Sequence, residues 1–134
     1  MSSKLAVIGL GDVRKQDKGL TIYLLDKLKN IFSETLDILF IEGGFDGEDL
    51  FETLQDIDAE KIVVLDTMRE IVKPGELDYL IIKPREAKSL KELLMVTIGI
   101  LSDDWGKKLS NSLCEKFYDI LDKVSNIINN LLNK

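Results

Sequence analysis

Leu5-Ala-Val-Ile-Gly-Leu-Gly-Asp-Val-Arg-Lys-Gln-Asp-Lys-Gly19 decides the fold. An unbroken apolar run stops at Gly9-Leu10-Gly11-Asp12, and Asp17-Lys18-Gly19 stands where a helix should begin. A short run that is apolar at every position suits a strand covered on both faces, as in a parallel sheet. Asp17 is placed to cap the next helix, whose Leu20, Tyr23, Leu24, Leu28 and Ile31 recur at helical spacing.

The pattern repeats downstream. Asp37 to Glu42 reads as a second buried strand, broken by Gly43-Gly44. Asp46 then opens a short helix carrying Leu50, Phe51 and Leu54. Lys61 to Leu65 is a third strand, ended by Asp66, and Pro74-Gly75 is a turn. Leu77 to Ile82 is a fourth strand. The gap before it is too short for a helical crossover, so it is expected to run antiparallel. A helix from about Glu86 to Met95 and a fifth strand, Val96 to Leu101, follow. A last helix from about Asn111 to Leu132 keeps apolar residues three and four apart. Strands alternating with helices predict one α/β domain over residues 1–134, a sandwich built on one sheet. Its five-stranded sheet would be mostly parallel.

Composition narrows the function. Net charge is −6, which repels phosphate and argues against nucleic acid and anionic membranes. No apolar run approaches the roughly 18 residues of a membrane span. The opening Met-Ser-Ser-Lys has no signal-peptide pattern, and Cys114 is the sole cysteine, so a reducing, cytoplasmic setting is expected. The chain has no histidine, which excludes histidine triads and histidine metal sites. Cys114, at helical spacing from Phe117 and Leu121, reads as core rather than as a nucleophile, so no catalytic residue is assigned.

Ligands of open α/β sheets bind beyond the carboxyl ends of the parallel strands. Asp12, Glu42 and Asp66 stand at those ends. Converging carboxylates hold a hard divalent cation or raise one another's pKa. The bland alternative is that Asp12 and Asp66 cap turns and Glu42 is solvated. Gly9-Leu10-Gly11 matches half of a dinucleotide fingerprint, but Arg14 stands where the third glycine belongs. Lys18 is disfavoured at a helix start by about 0.3–1 kcal/mol, a cost that a nearby carboxylate or an anionic ligand would offset. Trp105, in the loop before the last helix, either anchors a partner or packs on the helix start.

Val-Ile-Gly-Leu-Gly-Asp, four residues, then Asp-Lys-Gly resembles the opening of the hydrogenase maturation proteases. Further segments match in order: Ile41-Glu42-Gly43-Gly44 with Gly47 and Leu50, Val63-Val64-Leu65-Asp66, Pro74-Gly75, Thr97-Ile-Gly-Ile100, and Leu109-Ser110. The resemblance implies a three-layer α/β/α sandwich of the phosphorylase/hydrolase-like kind, and endopeptidases that remove the C-terminal tail of a nickel–iron hydrogenase large subunit after nickel insertion. It implies a metal held by an acid at the first helix start, an aspartate after the third strand and a later histidine.

Carried over, the first ligand position falls on Lys18, the second on Asp66 and the third near Glu86. The entrance is lined by Gly9, Gly11, Asp12, Asp17, Glu42 and Gly43. This chain is thus a divergent relative, lacking the first acid and the histidine. One expectation is a protease rebuilt on oxygen ligands for nickel or another divalent metal, with Asp66 and Glu86 among them. Another is a non-catalytic relative in which Lys18 pairs with Asp66 and the cleft docks a hydrogenase large subunit or similar protein tail. A third is a small-molecule binder using the Gly-x-Gly turn.

Overall fold

The computed structural model describes residues 3–35, 37–45, 50, 53–54, 56–82 and 92–133. The apolar runs become strands: β1 (Ser3–Gly9), β2 (Ile38–Glu42), β3 (Ala59–Arg69), β4 (Leu77–Ile82) and β5 (Glu92–Ile100). They form one sheet in the order β2-β1-β3-β5-β4. β1 pairs in parallel with β2 and β3, and β3 with β5. β4 runs antiparallel to β5, as its short connection requires. The mostly parallel five-stranded sheet flanked by helices is the expected architecture.

Alternation sorts the strand side chains. Leu5, Val7, Val63, Leu65, Val96 and Ile98 face one layer of helices; Ala6, Ile8, Ile62 and Val64 face the opposite side with Leu10, Leu50 and Ile57. The first layer holds α1 (Leu20–Ile31) and α2 (Asn111–Leu132), preceded respectively by a 3₁₀ turn, Gln16–Gly19, and by the N-cap Ser110. α2 buries Leu113, Phe117, Ile120, Leu121, Val124 and Ile128, the stripe its spacing predicts. Leu113 takes the inward position one residue before Cys114, so Cys114 is exposed rather than core, its Sγ 3.7 Å from the Leu109 carbonyl oxygen. Among the described residues no helix is long and apolar enough to cross a membrane.

Two boundaries differ from expectation. β3 does not end at Asp66, because Asp66 to Arg69 pair with Thr97 to Ile100 of β5. The helix expected up to Met95 gives way to strand from Glu92, where Leu93, Leu94 and Met95 find partners on both sides, in β3 and β4. Ladder bonds on two flanks outweigh a local helical pattern. Residues 86–91 of that segment, and Asp46 and Phe51 of the short helix expected after β2, lie outside the described residues.

The connection into β4 needs glycine twice. Gly75 has φ +85°, and a Cβ on Gly99 would stand 2.0 Å from the Lys73 carbonyl oxygen. β4 forms an edge of the sheet, and Tyr79, Leu80, Ile81 and Ile82 are all exposed.

Candidate functional site

β1 and β2 end level with one another, Gly9 beside Glu42, and Gly9 is also level with Leu65 of β3. The chain then turns at Leu10-Gly11-Asp12. The Leu10 amide donates to the Leu65 carbonyl (2.9 Å) and the Gly11 amide to that of Gly44 (3.1 Å). The Thr21 hydroxyl donates to the Leu10 carbonyl at 2.8 Å. A Cβ on Gly11 would lie 2.3 Å from Thr21 Oγ1 and 2.5 Å from the Lys18 carbonyl oxygen. Gly43 is equally tight, with Ile8 Cγ2 2.5 Å from its absent Cβ. These glycines make room for the chain's own packing. Packing against Thr21 and Lys18 therefore accounts for Gly11 without a dinucleotide.

Asp12 is buried and faces Arg14. Arg14 Nε donates to Oδ1 and Nη2 to Oδ2, both at 2.9 Å, and the Arg14 amide adds a bond of 3.0 Å. This bidentate pairing holds the Asp12 carboxyl down at about 2, against the opposing effect of burial. The guanidinium carbon lies 5.0 Å from the Phe45 ring centroid and 5.7 Å from that of Trp105. Lys15 Nζ sits 4.9 Å from the Trp105 centroid. Trp105 is 70% exposed, so it does not pack on the helix start; it forms a cation–π rim.

Asp17 does not cap α1, whose N-cap, Gly19, has no side-chain bond. Its carboxylate is fully buried and turns to the other end of the chain. It accepts from the amides of Leu101 (3.2 Å), Ser102 (3.0 Å) and Ser110 (2.6 Å), and from the Ser110 hydroxyl at 2.8 Å. Ser110 Oγ in turn accepts from the Leu113 amide at 3.4 Å. One carboxylate thus fixes the end of β5, the start of α2 and the turn that carries Lys18.

Asp66 sits level with Thr97 near the carboxyl end of β3. Burial pushes its carboxyl above the ordinary value, while the Thr67 amide, donating at 2.8 Å, and the Lys18 charge act in the opposite direction. The neighbouring Thr67 Oγ1 is buried without a hydrogen-bond partner. Lys18 is half-buried, yet no carboxylate of a described residue lies within 4.0 Å of its ammonium. The expected Lys18–Asp66 ion pair is therefore not made; the two interact through space. Glu42 is exposed. Glu86 lies outside the described residues.

These donors do not fit a resident nickel ion. Asp12 is committed to Arg14, Asp17 to amides, and an ammonium cannot ligate while protonated. Among the described residues no three His, Cys, Asp or Glu side chains stand close enough to share a metal. Nickel also favours imidazole or thiolate over carboxylate alone. The structure gathers Gly9, Gly11, Asp12, Lys18, Glu42, Gly43 and Asp66 at one end of the sheet; Asp12 is committed to Arg14, Glu42 is exposed, and Asp66 is the carboxylate seen to interact with Lys18. Three features escape sequence reading: the Arg14 clamp, the Asp17–Ser110 tie and the Phe45–Arg14–Trp105 stack. Only Ser110, a serine ahead of an amphipathic run, carries a local signal, that of an N-cap.

No family model matches the sequence, and no curated protein does. Solved structures match it nearly end to end. A hydrogenase 2 maturation peptidase from a Thaumarchaeota archaeon aligns with a TM-score of 0.73 at 18% identity, over 94% of this chain and 98% of its own. The hydrogenase maturating endopeptidase HybD from E. coli gives 0.72 at 13% identity, over 95% and 93%. The NiFe hydrogenase maturation protease HybD from Thermococcus kodakarensis gives 0.71 at 16%, over 92% and 98%. The chain therefore has the fold of the hydrogenase maturation proteases, a structural relationship at these identities.

Proposed function

We propose that this chain is a hydrogenase-maturation-protease-like protein that docks a protein tail, without a resident catalytic metal, at the carboxyl ends of its parallel strands. The tail is that of a hydrogenase large subunit or a similar protein, met in the cytoplasm. The feature that carries the proposal is Lys18: the resemblance puts this ammonium at the first ligand position, and the two carboxylates that precede it, Asp12 and Asp17, are committed elsewhere. The relatives of this fold are described as maturation proteases and endopeptidases, which supports a protein tail as the occupant.

A second reading, a working endopeptidase centred on Asp66, is favoured by that carboxyl's position and raised pKa. Incubation with an unprocessed, nickel-loaded hydrogenase large subunit separates the two. Docking predicts a stable complex whose large subunit keeps its full mass. Tail removal that disappears in Asp66→Ala supports the endopeptidase and overturns docking, and the absence of both a complex and tail removal overturns both.

A further inference from the structure

We infer that the docking end is a receptor for acidic peptide segments, with the Lys18 ammonium taking a carboxylate of the partner and the Lys15–Trp105–Phe45 rim holding its apolar neighbours. This deepens the tail-docking proposal and rests on it.

Lys18 is half-buried and carries no carboxylate within 4.0 Å among the described residues, so part of its hydration is given up without an ion pair in return. It also stands just before α1, where the helix dipole disfavours a cation. An incoming carboxylate would offset both costs.

The turn holding Lys18 is rigid. Its amide donates to the Lys15 carbonyl (3.0 Å), and its own carbonyl accepts from Asp12 (3.0 Å). The loop is stitched to the Trp105 loop by Gln16 N to the Gly106 carbonyl (2.7 Å) and Gly106 N to the Arg14 carbonyl (2.8 Å). Lys15 is a second cation without a carboxylate within 4.0 Å among the described residues, held over Trp105. At the same end Phe45 is 52%, Leu101 56% and Trp105 70% exposed, an apolar surface near two cations that make no ion pair within 4.0 Å among the described residues. Glu42, Asp66 and Asp104 stand at the same end, Asp66 within electrostatic reach of Lys18, and confine the attraction to the immediate surroundings of Lys15 and Lys18. Charge complementarity selects an acidic segment with aliphatic or aromatic residues.

The test is fluorescence anisotropy with a short labelled peptide of alternating glutamate and leucine, in EDTA, against the same peptide with glutamine for glutamate. The acidic peptide is expected to bind, and to weaken with added salt. Lys18→Met is expected to weaken it about tenfold, the scale of one lost charge-assisted contact. Lys18→Arg should retain binding, which separates charge from misfolding. Equal binding of the two peptides, or unchanged binding by Lys18→Met, overturns the inference. If the large subunit docks and Lys18→Met docks it equally well, the acidic receptor falls and tail docking stands. If the acidic peptide binds through Lys18 but no large subunit docks, the receptor stands and tail docking falls.

Discussion

Replacing Asp17 with alanine is expected to destabilise the fold by about 4 kcal/mol. The carboxylate is fully buried and accepts four hydrogen bonds, from the amides of Leu101, Ser102 and Ser110 and the hydroxyl of Ser110. A hydrogen bond to a charged group contributes about 1.5–3 kcal/mol net, and a donor left unpaired costs about 1–3 kcal/mol. Four such bonds do not sum fully, because Leu101 is exposed and Ser102 and Ser110 are half-buried, so water can reach some of the vacated donors. Alanine also frees Ser110 from its tie at the N-cap of α2. Asp17→Asn keeps one acceptor oxygen and turns an NH₂ toward amide donors; its expected loss is about 2 kcal/mol. Against a typical domain stability of about 5–15 kcal/mol, the alanine variant approaches the folding threshold. Urea unfolding followed by circular dichroism measures both. A loss below about 1 kcal/mol for Asp17→Ala would refute the assignment of Asp17 as the tie between the Lys18 turn and α2.

Gly99→Ala is expected to cost at least about 3 kcal/mol, since its Cβ would meet the Lys73 backbone oxygen at 2.0 Å, and thermal unfolding reads the loss. The folded-state pKa of Asp12 lies at about 2, below its ordinary value. The pairing with Arg14 thus stabilises the fold above the unfolded pKa, and that contribution fades as pH falls from about 4 toward 2. Asp12→Asn should accordingly be less stable than the parent near neutral pH, with the gap closing in acid on denaturant titration. Ile81→Lys, on the exposed edge strand β4, is expected to change stability by no more than about 0.5 kcal/mol. It should also lower self-association at high concentration in sedimentation velocity, because a charge blunts an apolar edge.

The elements most legible in the sequence are those whose pattern agrees with their surroundings. β4 was expected over Leu77–Ile82 and α2 over Asn111–Leu132, and both stand there. Each has punctuation nearby, a Pro-Gly turn in one case and a serine cap in the other. The start of β5 was not legible, because the Glu92–Met95 pattern suits a helix until two neighbouring strands offer hydrogen bonds. Asp17 was misread for a similar reason. A carboxylate before a helix looks like a cap, and its real partner, Ser110, lies 93 residues away. Asp12 and Glu42 stand just past and at the ends of β1 and β2, as their positions in the sequence suggest, whereas β3 runs on past Asp66 to Arg69, and spacing gives no hint that Arg14 engages Asp12. Nor could it reveal that Lys18 and Asp66 stay out of ion-pair range.

Lys18 is the residue that the resemblance puts at a metal's first ligand position, and a protonated ammonium cannot ligate. Calorimetric titration of nickel into the purified protein tests that most directly. The account predicts no saturable site tighter than about 1 mM, the weak end of the affinity scale. Stoichiometric binding that is lost in Asp66→Ala would contradict it.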